Sequence, residues 1–412
     1  MSLAKNVEFL KRLPKIKGIN ALGDFGRNLR PGFRSPLLET TDFGSNPGGI
    51  RMLSFVPPKL QEPRALVVVL HGCGQTAAGY DLGAGWSTLA KRYGFALLMP
   101  EQQPSNNPNC CFNWFNPEDT AREHGEACSI RQMIARMVGD HKISERRIFV
   151  TGLSAGGAMT TVMLATYPEV FAGGAVIAGL PFGVASNVRE ALSGMSQSSS
   201  RPAAELGDLV RSASNHKGPW PKLSVWHGSA DRTVNPGNAD AIVKQWLDLH
   251  DLPSAPMSEG TVDGYPRQVW WNADGETAIE SYTITGMAHG TPLGTVDDDE
   301  RYGAQGAFLI EAGISSSYHI ANFFGLTQWI GESKMAAKKE PAIPASKITS
   351  MEAAKTIPMV SRAPVPMPDL TKVLWPLTTL SRPAATPPKP ERRAIDVGAV
   401  ITRALTAAGL MK

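Results

Sequence analysis

The chain has 412 residues, of which 42% are apolar and 19% are charged, a balance typical of a folded globular protein. A chain of this length can bury a substantial core within one large α/β domain. The sequence contains no run approaching the ~18 apolar residues of a transmembrane helix, and four cysteines are too few for a disulfide-based scaffold.

The net charge of +4 is unevenly distributed along the chain. Residues 1–36 carry eight Lys and Arg against two Asp and Glu, residues 331–412 carry thirteen against six, and the stretch between them is net acidic. Basic ends on an acidic centre favour attraction to an anionic surface such as phospholipid. Tails that simply stay solvated are the alternative that these charges leave open.

The N-terminal segment shows no targeting pattern. Residues 1–8 contain no apolar core and no cleavage site of small residues, so they predict no secretory signal and a cytoplasmic protein. Residues 1–40 as a whole are basic and punctuated by Gly and Pro, which predicts an irregular N-terminal arm.

From residue 41 onwards, aliphatic runs alternate with segments of helical periodicity. The predicted strands are 50–56, 65–70, 95–99 (stopped at Pro100), 147–150, 174–178 and 223–227, followed by an antiparallel pair, 268–271 and 279–285, around an Asp-Gly turn. The predicted helices are 86–93, 125–141, 159–167, 238–250 and 314–324. This alternation predicts an α/β fold over residues 41–330, a mostly parallel sheet with helices on both faces.

Two segments depart from this alternation. Residues 184–222 are rich in Ser and small residues, and form either an excursion over the active site or a surface helix pair. After residue 330 the chain is rich in Ala, Pro, Lys and Thr, a composition that buries too little apolar surface to offset chain entropy. Residues 331–390 are therefore predicted to be a disordered or extended linker.

The last segment, 391–412, recovers a helical pattern. Its apolar residues fall largely on one stripe, and three arginines lie outside that stripe: Ile395, Val397, Val400, Ile401, Leu405 and Ala408 against Arg392, Arg393 and Arg403. A basic amphipathic helix at the end of a tether suggests binding to an anionic or granule surface. Docking back on the preceding domain is the alternative.

A serine stands at the turn between a predicted strand and a predicted helix. The sequence Gly152-Leu153-Ser154-Ala155-Gly156 fits the G-x-S-x-G pattern, and a strand–turn–helix setting is the context that this pattern requires. The flanking glycines permit a tight, strained turn. We predict that Ser154 is a nucleophile and that the Ala155 amide, at a helix N-terminus, faces a developing oxyanion. An ordinary Gly-rich turn is the alternative.

A serine hydroxyl needs a histidine base and a carboxylate that orients this base. Asp231 lies just past the predicted strand 223–227, where open α/β sheets place their working groups. Asp240 competes for this role, but its place on the following helix favours a surface position. Among the eight histidines, His289 follows the last predicted strand on a loop of small residues, so we predict that it is the base.

The loop after strand 65–70 predicts the second oxyanion donor. Its start, His71-Gly72-Cys73, matches the beginning of esterase oxyanion loops, with a cysteine in place of a glycine, so the Cys73 amide is the predicted partner of Ala155. Three aromatic residues near the predicted cleft are candidate contacts for an apolar polyester or an aromatic acyl group: Trp114, Phe115 and Phe182. Core or rim packing is the alternative for each of them.

The cysteines allow two further readings. Cys110, Cys111, His124 and Cys128 lie close together in the sequence, but their spacing fits no zinc pattern. We expect neither a metal nor an organic cofactor. A bridge between Cys73 and Cys111 stays open, on the condition that the protein meets an oxidising compartment.

Several of these motifs occur in the order found in one esterase family. The chain resembles the poly(3-hydroxybutyrate) depolymerase family over residues 45–326, through HGCGQT at 71–76, PEQQ at 100–103, CFNWF at 111–115, GLSAGG at 152–157 and WHGSAD at 226–231. This family is related to feruloyl and acetylxylan esterases. The resemblance implies an α/β-hydrolase fold with Ser154, Asp231 and His289 as the triad. Family members are often secreted and often carry a further substrate-binding domain, which residues 331–412 do not resemble.

We therefore predict a serine esterase that acts on short-chain polyhydroxyalkanoate, such as poly(3-hydroxybutyrate), or its oligomers through an acyl-enzyme. A feruloyl or acetylxylan-type carbohydrate esterase and a water-excluding acyltransferase are the enzymatic alternatives. From another class, the chain is a surface-binding adaptor that acts through its basic C-terminal helix. The expected partner is an ester substrate, polymeric or soluble, with no specific nucleic acid, and an extracellular location is the alternative to a cytoplasmic one.

Overall fold

The computed structural model of the protein describes residues 35–60, 62, 64–294 and 303–327. Most of the predicted N-terminal arm, the predicted linker 331–390 and the predicted helix 391–412 lie outside the described residues. Within the described ranges, no helix combines the length and the apolar character that crossing a membrane requires.

The strands follow the order of the predicted runs, with additions at both edges. They are β1 (Leu38–Thr40), β2 (Arg51–Phe55), β3 (Leu66–Leu70), β4 (Ala96–Glu101), β5 (Ile148–Leu153), β6 (Gly173–Ile177), β7 (Lys222–Gly228), β8 (Ser258–Val262), β9 (Tyr265–Trp271), β10 (Thr277–Ile284), β11 (Thr291–Leu293) and β12 (Leu309–Glu311).

The first ten strands form one sheet in the order β1-β2-β4-β3-β5-β6-β7-β10-β9-β8, and β11 pairs with β12 separately. The six central strands, from β4 to β10, run parallel to one another. The flanking strands on both sides are antiparallel to their neighbours. The carboxyl ends of β3, β5 and β7 therefore meet at one edge of the sheet, which is where an open α/β sheet builds its site.

Helices connect these strands and cover the sheet. They are α1 (Ala77–Ala84), α2 (Trp86–Tyr93), α3 (Pro117–Thr120), α4 (Gly125–His141), α5 (Ala155–Thr166), α6 (Val188–Ser196), α7 (Ala203–Arg211), α8 (Gly237–Leu249) and α9 (Ser316–Phe323).

The central strand β3 is buried along its whole length, and its side chains divide between two cores. Leu66, Val68 and Leu70 belong to a cluster with apolar side chains of α4, α5 and α8. Val67 and Val69 belong to a second cluster with side chains of α1, α2 and α9. Because alternate strand residues point to opposite faces, this division shows helices on both faces and confirms the predicted α/β fold.

One predicted strand end is wrong. The strand expected to stop at Pro100 continues to Glu101, and Pro100 lies opposite Met52 of β2. Proline cannot donate a ladder hydrogen bond, which normally confines it to positions with a free side. Here β3 pairs with β4 only as far as Leu98, so β2 is the only strand beside Pro100 in the described sheet.

Several elements were absent from the prediction or left open by it, among them β1, α1 and β8. Strand β1 lies inside the span 1–40 that was predicted to be an irregular arm. Helix α1 is buried almost all round, so it lacks the amphipathic period by which a helix is recognised. The edge strand β8 is mostly exposed and carries few apolar residues. The segment 184–222 contains α6 and α7, which form the helix pair that was one of its two predicted alternatives.

Candidate active site

Ser154 occupies the sharp turn between β5 and α5. Its backbone has φ 57° and ψ −116°, a region that residues with a side chain rarely adopt, and its amide donates to Ile177 O at 2.8 Å. A Cβ atom on Gly152 would overlap the carbonyl oxygen of Gly156, and one on Gly156 would overlap that of Leu70. The two glycines therefore allow α5 to approach β3 and β5 closely enough for this turn.

Asp231 lies on the loop that leaves β7, and its carboxylate is buried. Its Oδ1 accepts hydrogen bonds from the amides of Thr233, at 2.8 Å, and Val234, at 2.9 Å. Burial alone raises the pKa of Asp231, but the hydrogen bonds from His227, His289 and Val234 outweigh it and hold the pKa well below its ordinary value. Asp231 is thus kept as a carboxylate, whereas the competing Asp240 lies exposed on α8.

The loop that carries His289 is tied to the Asp231 loop through backbone contacts. The Ser229 amide donates to Ile284 O and the Ala230 amide donates to Met287 O, both at 3.0 Å. In return, the Gly286 amide donates to Ser229 Oγ at 2.8 Å. These bonds bring the two loops into register at the carboxyl ends of β7 and β10, which run parallel side by side.

The three side chains predicted to act together are adjacent in the structure. His289 Nδ1 lies 2.7 Å from Asp231 Oδ2, and His289 Nε2 lies 3.0 Å from Ser154 Oγ. A carboxylate can only accept, so Nδ1 carries the proton and Nε2 is left to accept from the serine hydroxyl. This arrangement can take a proton from Ser154 and return it to another oxygen.

The loop after β3 carries Cys73, and Gln75 spans that loop. The side-chain oxygen of Gln75 accepts from the Gly72 amide at 2.8 Å, and its side-chain nitrogen donates to Ala307 O at 3.3 Å. Within the described part of the chain, the amides of Cys73 and Ala155 donate no hydrogen bond to another residue. Both N–H groups are therefore available to a ligand oxygen.

The base of this loop is fastened to the end of β4. His71 Nδ1 donates to Gly72 O at 2.8 Å, and its Nε2 accepts from the Gln102 amide at 3.1 Å. Burial lowers the pKa of His71, which keeps the ring in this neutral form. The Cys73–Cys111 bridge that the sequence left open is present and joins the same two loops.

The chain is similar in sequence to a known family of esterases. The family model described as esterase PHB depolymerase matches residues 52–259, a span that includes Ser154 and Asp231 and ends before His289. The poly(3-hydroxyalkanoate) depolymerase C of Paucimonas lemoignei is 45% identical over 291 residues, covering 70% of each chain.

The chain belongs to the PHB depolymerase family of esterases.

Similarity reaches beyond the depolymerases to carbohydrate esterases. An acetylxylan esterase of Coprinopsis cinerea is 32% identical over 263 residues, which cover 62% of this chain and 69% of the fungal one. The solved structure of an acetyl xylan esterase from Aspergillus awamori superposes with a TM-score of 0.58 and 25% identity, covering 70% of this chain and 99% of that one. The protein is therefore a serine-type carboxylic ester hydrolase with an α/β-hydrolase fold.

The aromatic candidates of this esterase occupy different environments. Trp114 is buried in the core, with its ring edge-on to Phe115 at a centroid distance of 5.6 Å. Phe115 and Phe182 are half-buried at the margin of the same core, and the backbone of Phe182 is held on both sides by the Gln245 amide at 3.0 Å. The burial of Trp114 favours core packing over substrate contact, whereas the other two rings keep an exposed portion.

Three residues at the site were not singled out by the sequence. His227 contacts Asp231, Gln75 joins Gly72 to Ala307, and the Phe308 ring lies edge-on to the His289 imidazole at 5.7 Å. His227 and Gln75 belong to strings that carry the family resemblance, which is the signal that points to them. Nothing local marks Phe308, because β11 and β12 bring it to His289 from a separate part of the chain.

Within the described ranges, no group of three or more His, Cys, Asp or Glu side chains is placed to hold a metal ion. Of the four residues weighed as metal ligands, Cys111 is in the disulfide, while Cys110 and Cys128 are free thiols.

We expect the Cys73–Cys111 bridge to stabilise the fold strongly. It closes a segment of 38 residues, for which the chain-entropy model gives about 4 kcal/mol. Cys111→Ala should lower the free energy of unfolding by roughly this amount in urea titrations. Cys128→Ala, which removes a free thiol from α4, is the matched control and should change it by less than ~1 kcal/mol. Equal unfolding midpoints for wild type and Cys111→Ala would contradict the expectation.

Proposed function

We propose that Ser154, His289 and Asp231 form the catalytic triad of this esterase, with the amides of Cys73 and Ala155 as its oxyanion hole. The observation that carries the proposal is the continuous hydrogen-bond series from Asp231 Oδ2 through His289 to Ser154 Oγ. The strained turn at Ser154 and the two unengaged amides support it. Cys73 follows β3 and Ala155 follows β5, and these strands are neighbours in the sheet.

The reaction follows from these groups in two halves. Ser154 Oγ attacks the ester carbonyl carbon while its proton passes to His289 Nε2, and the two amides hold the negative oxygen of the tetrahedral intermediate. His289 then gives this proton to the leaving alkoxide oxygen as the carbon–oxygen bond breaks, which leaves an acyl-enzyme. Water repeats the sequence and releases the acid. Asp231 orients the imidazole and stabilises its cationic form throughout.

We further propose that the acyl group is a short-chain 3-hydroxyalkanoate, in a polymer or its soluble oligomers. The relative named as a poly(3-hydroxyalkanoate) depolymerase is 45% identical to this chain, whereas the fungal acetylxylan esterase is 32% identical. The half-buried Phe115 and Phe182 rings offer apolar surface suited to an aliphatic polyester.

A substrate panel tests both parts of the proposal. Wild type and Ser154→Ala are given amorphous poly(3-hydroxybutyrate), its soluble oligomers, acetylated xylan and feruloyl sugars, and the released acids are quantified. We expect Ser154-dependent release of 3-hydroxybutyrate to exceed release from the sugar esters by an order of magnitude or more. Activity confined to the sugar esters would overturn the polyester proposal and leave the triad in place. Acyl transfer to an added alcohol that outruns hydrolysis would identify an acyltransferase.

A further inference from the structure

A second histidine lies against the carboxylate of Asp231. His227 is the penultimate residue of β7, and its side chain is only 4% exposed. Its Nε2 lies 3.0 Å from Val234 O and 3.1 Å from Asp231 Oδ2, the same oxygen that accepts from His289. The mechanism above makes no use of this side chain.

The partners of His227 determine its tautomer. A backbone carbonyl and a carboxylate can only accept hydrogen bonds, so the Nε2 atom beside them carries a proton, which is directed at Val234 O while Asp231 Oδ2 lies 3.1 Å from the same nitrogen. Its Nδ1 atom is buried and has no hydrogen-bond partner among the described residues, which is consistent with an unprotonated ring nitrogen there. His227 thus presents one N–H group, which bonds to Val234 O and lies in contact with the Asp231 carboxylate.

This contact completes the set of donors around Asp231. Oδ1 is held by the amides of Thr233 and Val234, and Oδ2 receives Nδ1–H of His289 and lies 3.1 Å from the Nε2 atom of His227. Among the described residues, His289 is the other side chain that contacts the Oδ2 atom, and it is the ring whose orientation Asp231 has to set. His227 takes no part in proton transfer and is itself held by Val234 O. It can therefore fix the position of Oδ2 independently of His289.

We propose that His227 is a positioning residue of this esterase: its Nε2–H group fixes the Asp231 carboxylate and, through it, the imidazole of His289. The inference rests on the proposed triad. It predicts that turnover depends on a donor at the position of Nε2, and that substrate affinity does not, because His227 acts through Asp231 and is not assigned any contact with substrate.

Three variants that differ in the presence and reach of a hydrogen-bond donor test this proposal. In His227→Gln the amide nitrogen is as many bonds from Cα as Nε2 is, so it can occupy the same place. In His227→Asn the amide nitrogen ends one bond short, at the level of Nδ1. His227→Leu fills space without any donor. Turnover is measured with a p-nitrophenyl butyrate probe, so the outcome does not depend on the identity of the natural polymer.

We expect kcat to fall roughly 10- to 100-fold in His227→Leu and His227→Asn, with KM within about twofold of wild type. His227→Gln should recover kcat to within about threefold of wild type. If His227→Leu does not fold, the Gln and Asn pair still makes the comparison, since both side chains are polar amides. Equal kcat values in the Gln and Asn variants, or a wild-type kcat in any variant without the donor, would overturn the proposal.

Failure of the triad gives a different result. In that case Ser154→Ala keeps wild-type turnover of the probe, and a fluorophosphonate reagent does not label Ser154. If wild type hydrolyses the probe through Ser154 and all His227 variants match it, the triad stands and only the role of His227 is lost.

Discussion

Replacing Ser154 by alanine is expected to lower kcat by about 10⁶-fold, as removal of the nucleophile does in other serine hydrolases. The loss is this large because His289 then has no hydroxyl to deprotonate, and the remaining oxyanion donors and binding contacts supply only a small residual rate. KM should change little, since the substitution removes only one hydroxyl group from the contacts with bound substrate. The measurement is the initial rate of ester release at saturating substrate.

The unfolding free energy of the Ser154→Ala variant shows whether the substitution leaves the fold intact. Alanine keeps the Cβ atom and the backbone strain at φ 57°, so its unfolding free energy should match that of wild type. Ser154→Gly is the matched variant that also removes the hydroxyl. Its unfolding free energy should be ~1 kcal/mol higher than that of Ser154→Ala, because glycine tolerates this backbone region. Residual activity above about one per cent in either variant would show that Ser154 is not the nucleophile.

The second large effect is expected for Asp231→Asn, which should lower kcat by about 10⁴-fold. The amides of Thr233 and Val234 both donate to Oδ1, so the asparagine oxygen must take that place. Its NH2 group then faces His289 Nδ1 in place of Oδ2. The imidazole must move its proton to Nε2 to meet this donor, and it can no longer accept the proton of Ser154. Single-turnover kinetics should show that acylation, rather than binding, is lost.

The unfolding free energy of Asp231→Asn is expected to depend on pH differently from that of wild type. The native pKa of Asp231 is lowered, so in wild type its stabilisation is fully present above the ordinary carboxyl pKa of ~3.9 and is lost as pH falls through the native value. Asparagine does not titrate. We therefore expect Asp231→Asn to be less stable than wild type by ~2 kcal/mol at neutral pH, and the difference to shrink as the pH falls below ~4. A difference that is constant from pH 7 to pH 3, measured by urea unfolding, would contradict this linkage.

Local sequence patterns were sufficient to predict those site residues that are marked by their immediate neighbours in the chain. The strand–turn–helix setting of Ser154 depends on adjacent glycines, and the strand ends before Asp231 and His289 are visible as apolar runs. Because parallel strands end at the same edge of a sheet, three loops at such ends are brought together by the fold class alone. The fold class thus indicates which side chains meet, but not the distances between them.

Burial was the property that sequence patterns conveyed least well. Trp114 was a candidate for substrate contact with core packing as the alternative, and the structure places its side chain in the core. Helix α1 was missed because it is buried on nearly every side, and Pro100 was taken as a strand end although the strand continues past it where β3 no longer pairs. Each of these outcomes depends on which neighbours cover a residue, and neighbours distant in sequence leave no local periodicity.

By itself, then, the sequence determined the fold class and predicted the three residues proposed as nucleophile, acid and base, because each lies in a short-range pattern at the end of a strand. The tertiary structure decided how Asp231 is held. His227 contacts Asp231 because the loop after β7 turns back on itself, and Cys73 bonds to Cys111, which is 38 residues further along the chain. These contacts depend on the path of the backbone between strand ends, and side-chain chemistry read along the chain does not specify that path.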